Sequence, residues 1–417
     1  MAAFTYANGQ LGAEDVPLAE VARRYGTPCY VYSRAAIEQK WRAFDQAFAA
    51  RAHLVCYAVK ANSNIAILNI LARLGSGFDI VSIGEFARVM RAGGDPRKVV
   101  FSGVGKRGDE IQHALEADIK CFNVESAAEL ERIDQIAAAT GKRAPISLRV
   151  NPDIDVDTHP YIATGLRQNK FGIPYENALA LYQRAAAMAH IQVIGIDCHI
   201  GSQITVLTPF IDALKQLRAL IEQIEGKGIS LRHVDVGGGL GIKYRDETPP
   251  AAADYIGAVC EVFTGKDYEL IVEPGRSIVG DAGVLLTRVE FVKKTLHRNF
   301  GIVDAAMNDI LRPSLYDAWH DIMPLTGQSP GAGCDIYDIV GPVCETGDFI
   351  GRDRNLSLTV GDVLAICSAG AYGFSMSSTY NSRPRACEVM IDGQAMYEIR
   401  RREALAELMA GESLLPA

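Results

Sequence analysis

Lys60 closes an apolar run, Leu54-Val55-Cys56-Tyr57-Ala58-Val59, and the segment Ala61-Asn62-Ser63-Asn64 follows at once. A short run rich in β-formers reads as a buried strand, and a polar turn then opens a helix. Lysine is among the residues least often buried, so one at the end of a core strand needs a partner or a task. A desolvated amine loses part of its proton affinity and becomes a nucleophile for carbonyls, which is Schiff-base chemistry. The structural alternative is a side chain that snorkels from the strand end into water.

Four further groupings carry chemistry. Val234-Asp235-Val236-Gly237-Gly238-Gly239 places three glycines after a strand, where backbone N–H groups can approach an anion such as a phosphate. Glu273-Pro274-Gly275-Arg276 sets a carboxylate that could hold a protonated ring nitrogen beside an arginine for phosphate or carboxylate; an internal salt bridge is the alternative. Cys198-His199-Ile200-Gly201-Ser202 offers a flat ring and a hydroxyl donor, or simply a hydrogen-bonded core histidine. In Cys344-Glu345 a thiol beside a carboxylate could donate a proton next to a substrate-binding acid, or be a structural cysteine in a turn. Weaker signals are Arg312 and Tyr316, one helical turn apart and able to clamp a carboxylate, and Tyr372 in the small-residue run Gly370 to Ser378.

The elements that must position these residues repeat. After Leu54–Val59, buried-strand runs occur at Gly77–Val81, Lys98–Phe101, Ile119–Val124, Pro145–Val150, Val193–Cys198, Leu231–Val236 and Glu269–Val272. Between most of them lie segments with apolar residues three and four apart, such as Ile65–Leu74, Glu125–Ala139 and Phe210–Glu225. That alternation predicts an α/β fold, a (β/α)8 TIM-like barrel, whose strand ends bring Lys60, Ser82, Ser102, Glu125, Asn151, His199, Gly237 and Glu273 to one mouth. An open doubly wound sheet is the competing architecture, but neither nucleotide-binding glycine motif is present, and Ser102-Gly103-Val104-Gly105-Lys106-Arg107 lacks the hydroxyl residue after its lysine.

Beyond about residue 280 the runs Val284–Val292, Phe300–Val303, Tyr337–Val340, Val363–Cys367 and Cys387–Ile391 read as strands between turn-rich pieces, notably Leu325–Gly333. They predict a mostly β domain over 283–417, joined by the strand-like N-terminal segment in 1–34, with the barrel over 35–282. The run Arg400-Arg401-Arg402 reads as a solvated face of a C-terminal helix.

The chain has 417 residues, enough for two domains, and its 48% hydrophobic and 22% charged residues are ordinary for a globular protein. A net charge of -8 argues against a nucleic-acid or anionic-membrane partner, and no stretch is long and apolar enough to span a bilayer. The nine cysteines form no C-x-x-C pair and no His or Cys partner lies at metal spacing, so no metal and a cytoplasmic location are expected.

Ordered matches along nearly the whole chain make it resemble the diaminopimelate decarboxylases, in the alanine-racemase-like class of pyridoxal-phosphate enzymes. They are Tyr57–Asn62, Thr158–Gly165, Lys170–Ile173, His199–Gln203, Gly237–Gly239, Glu273–Arg276, Cys344–Asp348 and Met376–Arg385. The resemblance implies a barrel and a β domain, with pyridoxal 5'-phosphate held covalently by Lys60, stacked on by His199 and paired at its ring nitrogen with Glu273. It implies that Ser202, Gly237, Gly238, Gly239, Gly275, Arg276 and Tyr372 surround the phosphate. Substrate carboxylates would meet Arg276, Arg312 and Tyr316, with Tyr372 also near the substrate. Members of the family are homodimers, and Cys344 as proton donor and Glu345 as reader of the distal amino acid end would serve the partner subunit's site. The implied reaction converts meso-2,6-diaminopimelate to L-lysine and CO2, the last step of lysine biosynthesis. A decarboxylase of ornithine, arginine or a carrier-linked amino acid is the alternative; relatives specific for ornithine usually follow the cysteine with Asp, whereas Glu345 stands here. A non-catalytic pyridoxal-phosphate carrier would resemble the barrel alone.

Overall fold

Parallel strands that are covered on both faces must be apolar throughout, and this is the texture of the eight runs. The computed structural model describes residues 3–152, 169–327 and 334–416. Thr158–Gly165 and the greater part of Leu325–Gly333 lie outside the described residues. The chain divides into two compact units, Glu38–Ile242 with Glu247–Ser277, and Met1–Ile37 with Lys243–Asp246 and Ile278–Ala417.

In the first unit the strands are β1 (His53–Ala58), β2 (Gly77–Ile80), β3 (Val99–Phe101) and β4 (Cys121–Val124). They continue as β5 (Ala144–Asn151), β6 (Ile191–Asp197), β7 (His233–Asp235) and β8 (Glu269–Val272). Each pairs in parallel with the next, and β8 pairs with β1, so the barrel closes. Leu54, Cys56, Val100, Cys121, Ile194 and Ile271, from five of these strands, form one buried cluster. Gly195 makes room there: a Cβ on it would lie 2.1 Å from Nε2 of the buried His233 ring.

Three of the helices between strands start where short polar side chains satisfy free N–H groups of the first turn. Asn64 accepts from Ala66 N, Ser82 from Glu85 N and Ser126 from Glu129 N. Two of the strand-end residues, Ser82 and Glu125, thus serve structure: Ser82 caps a helix, and Glu125 accepts from Gly103 N and Gly172 N. Lys106 is buried as well, donating to Gly103 O, Asn123 O and Glu129, so its amine is engaged within the fold.

In the second unit a long strand, Gly283–Lys294, pairs antiparallel with Cys29–Ser33, Asn299–Val303 and Val363–Ile366. Cys29–Ser33 also pairs in parallel with Cys387–Asp392, so the N-terminal segment lies inside the C-terminal sheet. Cys29, Val31, Val284, Leu286, Val389 and Ile391 share its core. The sequence reading missed the small antiparallel sheet Phe4–Ala7, Gln10–Ala13 and Val16–Pro17. It also misplaced the arginine run. Arg400 ends the strand Ala395–Arg400, and Arg401 salt-bridges Glu407 from ahead of the short helix Leu405–Leu408.

Candidate active site

Strand β1 stops at Ala58, and Lys60 sits in the 3-10 turn Val59–Ala61. Its Nζ donates to Asp79 Oδ2 at 2.6 Å, from the far end of the neighbouring β2. The lysine side chain is 36% exposed and Asp79 fully buried. Of the two readings of this lysine, the amine is partly exposed rather than desolvated, and a carboxylate at the mouth holds it, because the turn lifts Lys60 out of the barrel wall. The other oxygen of Asp79, Oδ1, is buried without a hydrogen-bond partner.

His199 follows β6. Its Nδ1 accepts from Gly238 N at 3.0 Å, which leaves the ring hydrogen on Nε2. Loss of hydration, then the positive charges of Arg149 and Lys60, hold its pKa well below the usual histidine range, so the ring is neutral at pH 7.

The glycines after β7 thread between two other loops. A Cβ on Gly238 would meet Glu273 O at 2.3 Å, and one on Gly239 would meet Gly201 O at 2.5 Å. Gly237 and Gly239 have φ of +67° and +108°, which side chains rarely adopt. Backbone therefore packs on backbone after β6, β7 and β8. Gly275 is equally tight: a Cβ there would lie 3.0 Å from the Cβ atoms of Ala58 and Ala61, beside Lys60. Arg276 donates to Ser202 Oγ at 3.0 Å, joining two predicted anion ligands.

Glu273 lies with Asp197 and Asp235, their oxygens within 4.8 Å of one another and all three residues buried. Burial first, then Asp235, Asp79 and Asp197, raise the Glu273 pKa well above its ordinary value, against the pull of Lys60. Like charges so close cannot all ionise, and a proton is retained among them. Asn123 Nδ2 reaches Glu273 Oε1 at 3.5 Å, and Arg149 lies 4.0 Å from Asp197.

The remaining predicted residues belong to the sheet unit. Arg312 and Tyr316 open and close the short helix Arg312–Tyr316; Arg312 is buried, with its guanidinium over the Tyr244 ring at 4.5 Å. Cys344 is the exposed one of the nine free cysteines. It stands with Glu345 in a loop organised by buried Asp348, which accepts from Met307 N and Val343 N. Cys344 N donates to Asn381 Oδ1, and Tyr380 OH donates to Glu345 Oε2 at 2.9 Å. Tyr372 is half-buried with φ of +56°, a strained conformation for a tyrosine.

Residues 34–280 match the family model described as "Pyridoxal-dependent decarboxylase, pyridoxal binding domain". The diaminopimelate decarboxylase of Pseudomonas aeruginosa is 60% identical over 416 residues, covering 100% of both chains. The chain belongs to the diaminopimelate decarboxylases.

The Vibrio cholerae diaminopimelate decarboxylase is 59% identical over 98% of each chain. The crystal structure of the diaminopimelate decarboxylase from Helicobacter pylori complexed with L-lysine superposes with a TM-score of 0.91 at 44% identity, covering 94% of this chain and 98% of that one. The fold of the diaminopimelate decarboxylases, a barrel with a mostly β unit, is therefore the fold of this chain, and it is a pyridoxal-phosphate-dependent decarboxylase. Among the described residues no helix is long and apolar enough to cross a membrane.

The barrel mouth fits pyridoxal phosphate on its own geometry. Asp79 Oδ1, Asp197 Oδ1 and Asp235 Oδ2 are buried acceptors without partners, beside an amine and a neutral imidazole. The sequence reading found Lys60, His199 and Glu273 but missed Asp79, Asp197 and Asp235. The available signal was an acid inside an otherwise apolar strand, as in Gly77-Phe78-Asp79-Ile80.

Proposed function

We propose that this chain decarboxylates meso-2,6-diaminopimelate to L-lysine and CO2, closing lysine biosynthesis. The observation that carries it is the pairing of an exposed thiol with a carboxylate, Cys344 and Glu345, in a chain of this family.

Lys60 Nζ would be the amine that holds the cofactor, and Asp79, which accepts from it at 2.6 Å, aims it at the mouth. His199 would lay its neutral ring against the pyridine. Glu273, whose pKa is raised by burial and then by its acidic neighbours, would share a proton with the ring nitrogen. When bound, the protonated ring serves as an electron sink for the bond broken as CO2 leaves. Ser202, Gly237, Gly238, Gly239, Gly275, Arg276 and Tyr372 hold the phosphate. Arg276, Arg312, Tyr316 and Tyr372 orient the substrate through its carboxylates.

The Cys344 thiol then gives its proton to the carbon that has lost CO2, and Glu345 reads the distal amino acid end of the substrate. In this reading the protein is a homodimer whose β unit, residues 1–34 with 283–417, completes the site housed by the barrel at 35–282. Cys344 and Glu345 of one subunit serve the other's site. Its nine free cysteines suit a reducing cytoplasm.

CO2 release from purified protein, assayed with meso-diaminopimelate, ornithine and arginine, tests the reading. Turnover of the first is expected to exceed the others by orders of magnitude; equal or greater turnover of ornithine or arginine would overturn it.

A further inference from the structure

We infer that His320 is a positioning residue that sets the Arg312 guanidinium for a substrate carboxylate. The inference rests on the proposed role of Arg312 and deepens it.

His320 is fully buried. Its Nδ1 lies 2.8 Å from Cys367 O, and its Nε2 lies 2.9 Å from Arg312 Nη1. A carbonyl oxygen only accepts and a guanidinium only donates. The ring must therefore carry its hydrogen on Nδ1 and present the Nε2 lone pair to the arginine. One tautomer satisfies both contacts, and it is the neutral one.

Tyr244 completes the clamp. Arg312 lies over its face at 4.5 Å, and the Tyr244 and His320 rings meet edge to face at 5.3 Å. The guanidinium is thus fixed in its plane by a stacked ring and along one edge by a nitrogen lone pair. Both partners orient it without cancelling its charge. A carboxylate in place of His320 would hold the arginine as firmly but would compete with an anionic substrate.

The two histidine nitrogens can be tested separately. His320→Asn retains an amide donor at the Nδ1 position, toward Cys367 O, and loses the acceptor facing Arg312. His320→Gln places an amide oxygen where Nε2 was. Steady-state kinetics on the cofactor-loaded enzyme with meso-diaminopimelate should show KM up about tenfold for His320→Asn, with kcat within about twofold of the parent. His320→Gln should recover KM to within about threefold. L-lysine should weaken as an inhibitor of His320→Asn, whereas 1,5-diaminopentane, which lacks a carboxylate, should inhibit both proteins equally. An unchanged KM in His320→Asn, or equal weakening of both inhibitors, overturns the inference. Arg312→Ala separates the two levels. If it leaves KM unchanged, the assignment of Arg312 to substrate fails; if it raises KM while His320→Asn does not, only the role of His320 fails.

Discussion

Lys60 and Asp79 form an ion pair of 2.6 Å in which the lysine is partly exposed and the acid is wholly enclosed. The acid sits at the end of the strand next to the lysine's own, so backbone pairing of Tyr57 with Phe78 and Ala58 with Asp79 sets the distance. The amine is aimed by the barrel itself.

Asp79→Ala should therefore displace Lys60 without unfolding the barrel. We expect kcat to fall about 10²-fold, the size of effect that a misplacement of about 1 Å produces. Borohydride reduction followed by peptide mass spectrometry measures the fraction of Lys60 linked to cofactor, which should fall in parallel. A normal fraction with normal kcat would remove Asp79 from the site.

Glu273→Gln should trade activity for stability, in a direction that depends on pH. The native pKa of Glu273 is raised, so its contribution to stability is present below the ordinary carboxylate range and lost as pH rises through the raised value. The amide never ionises. In protein freed of cofactor, the melting temperature of the variant should thus gain on the parent between pH 5 and pH 8. Turnover of the loaded enzyme should fall about 10²- to 10³-fold. A melting difference independent of pH would contradict the buried-proton account.

His233 titrates in the opposite sense. Burial, followed by the charge of Lys120, lowers its pKa to about 3, so the unfolded chain binds a proton that the native state refuses. Stability should be complete above about pH 6.5 and fall by about 1.4 kcal/mol per pH unit below it, until the native ring protonates. Urea titrations of parent and His233→Gln across this window should show a shallower pH dependence in the variant.

Cys344→Ala should lower kcat by about 10²- to 10⁴-fold, the usual contribution of a proton donor, and leave the visible band of the bound cofactor intact. Mixing inactive Lys60→Ala with inactive Cys344→Ala probes the shared site. Exchange of subunits should restore activity, because a mixed dimer holds one complete site, and failure to restore it after verified exchange would place both residues in a single subunit.

The barrel was legible because its strands are covered on both faces and so read as unbroken apolar runs, and Lys60 stood out against them. Asp79, Asp197 and Asp235 did not stand out, because strand periodicity absorbs one polar residue without comment. Their effect is electrostatic and arises only when β2, β6 and β7 curve toward one another. The partial exposure of Lys60 agrees with the snorkelling alternative, but its cause did not show, since the strand ends at Ala58 and a 3-10 turn carries the lysine. His320 carried no signal of its own; Arg312 was recognised by spacing, and Tyr244 and Cys367, which complete the arrangement, come from distant segments of the chain.

The strand Cys29–Ser33 lies between Gly283–Lys294 and Cys387–Asp392. This arrangement has a consequence for biosynthesis. The strand Cys29–Ser33 gains its second neighbour only when Cys387–Asp392, far behind it in the chain, has emerged. The sheet unit is therefore completed only then, and Cys29–Ser33 stays without its final pairing while the intervening chain is made. Shortening the chain ahead of Cys387 should cost the N-terminal strand its place even though that strand is intact.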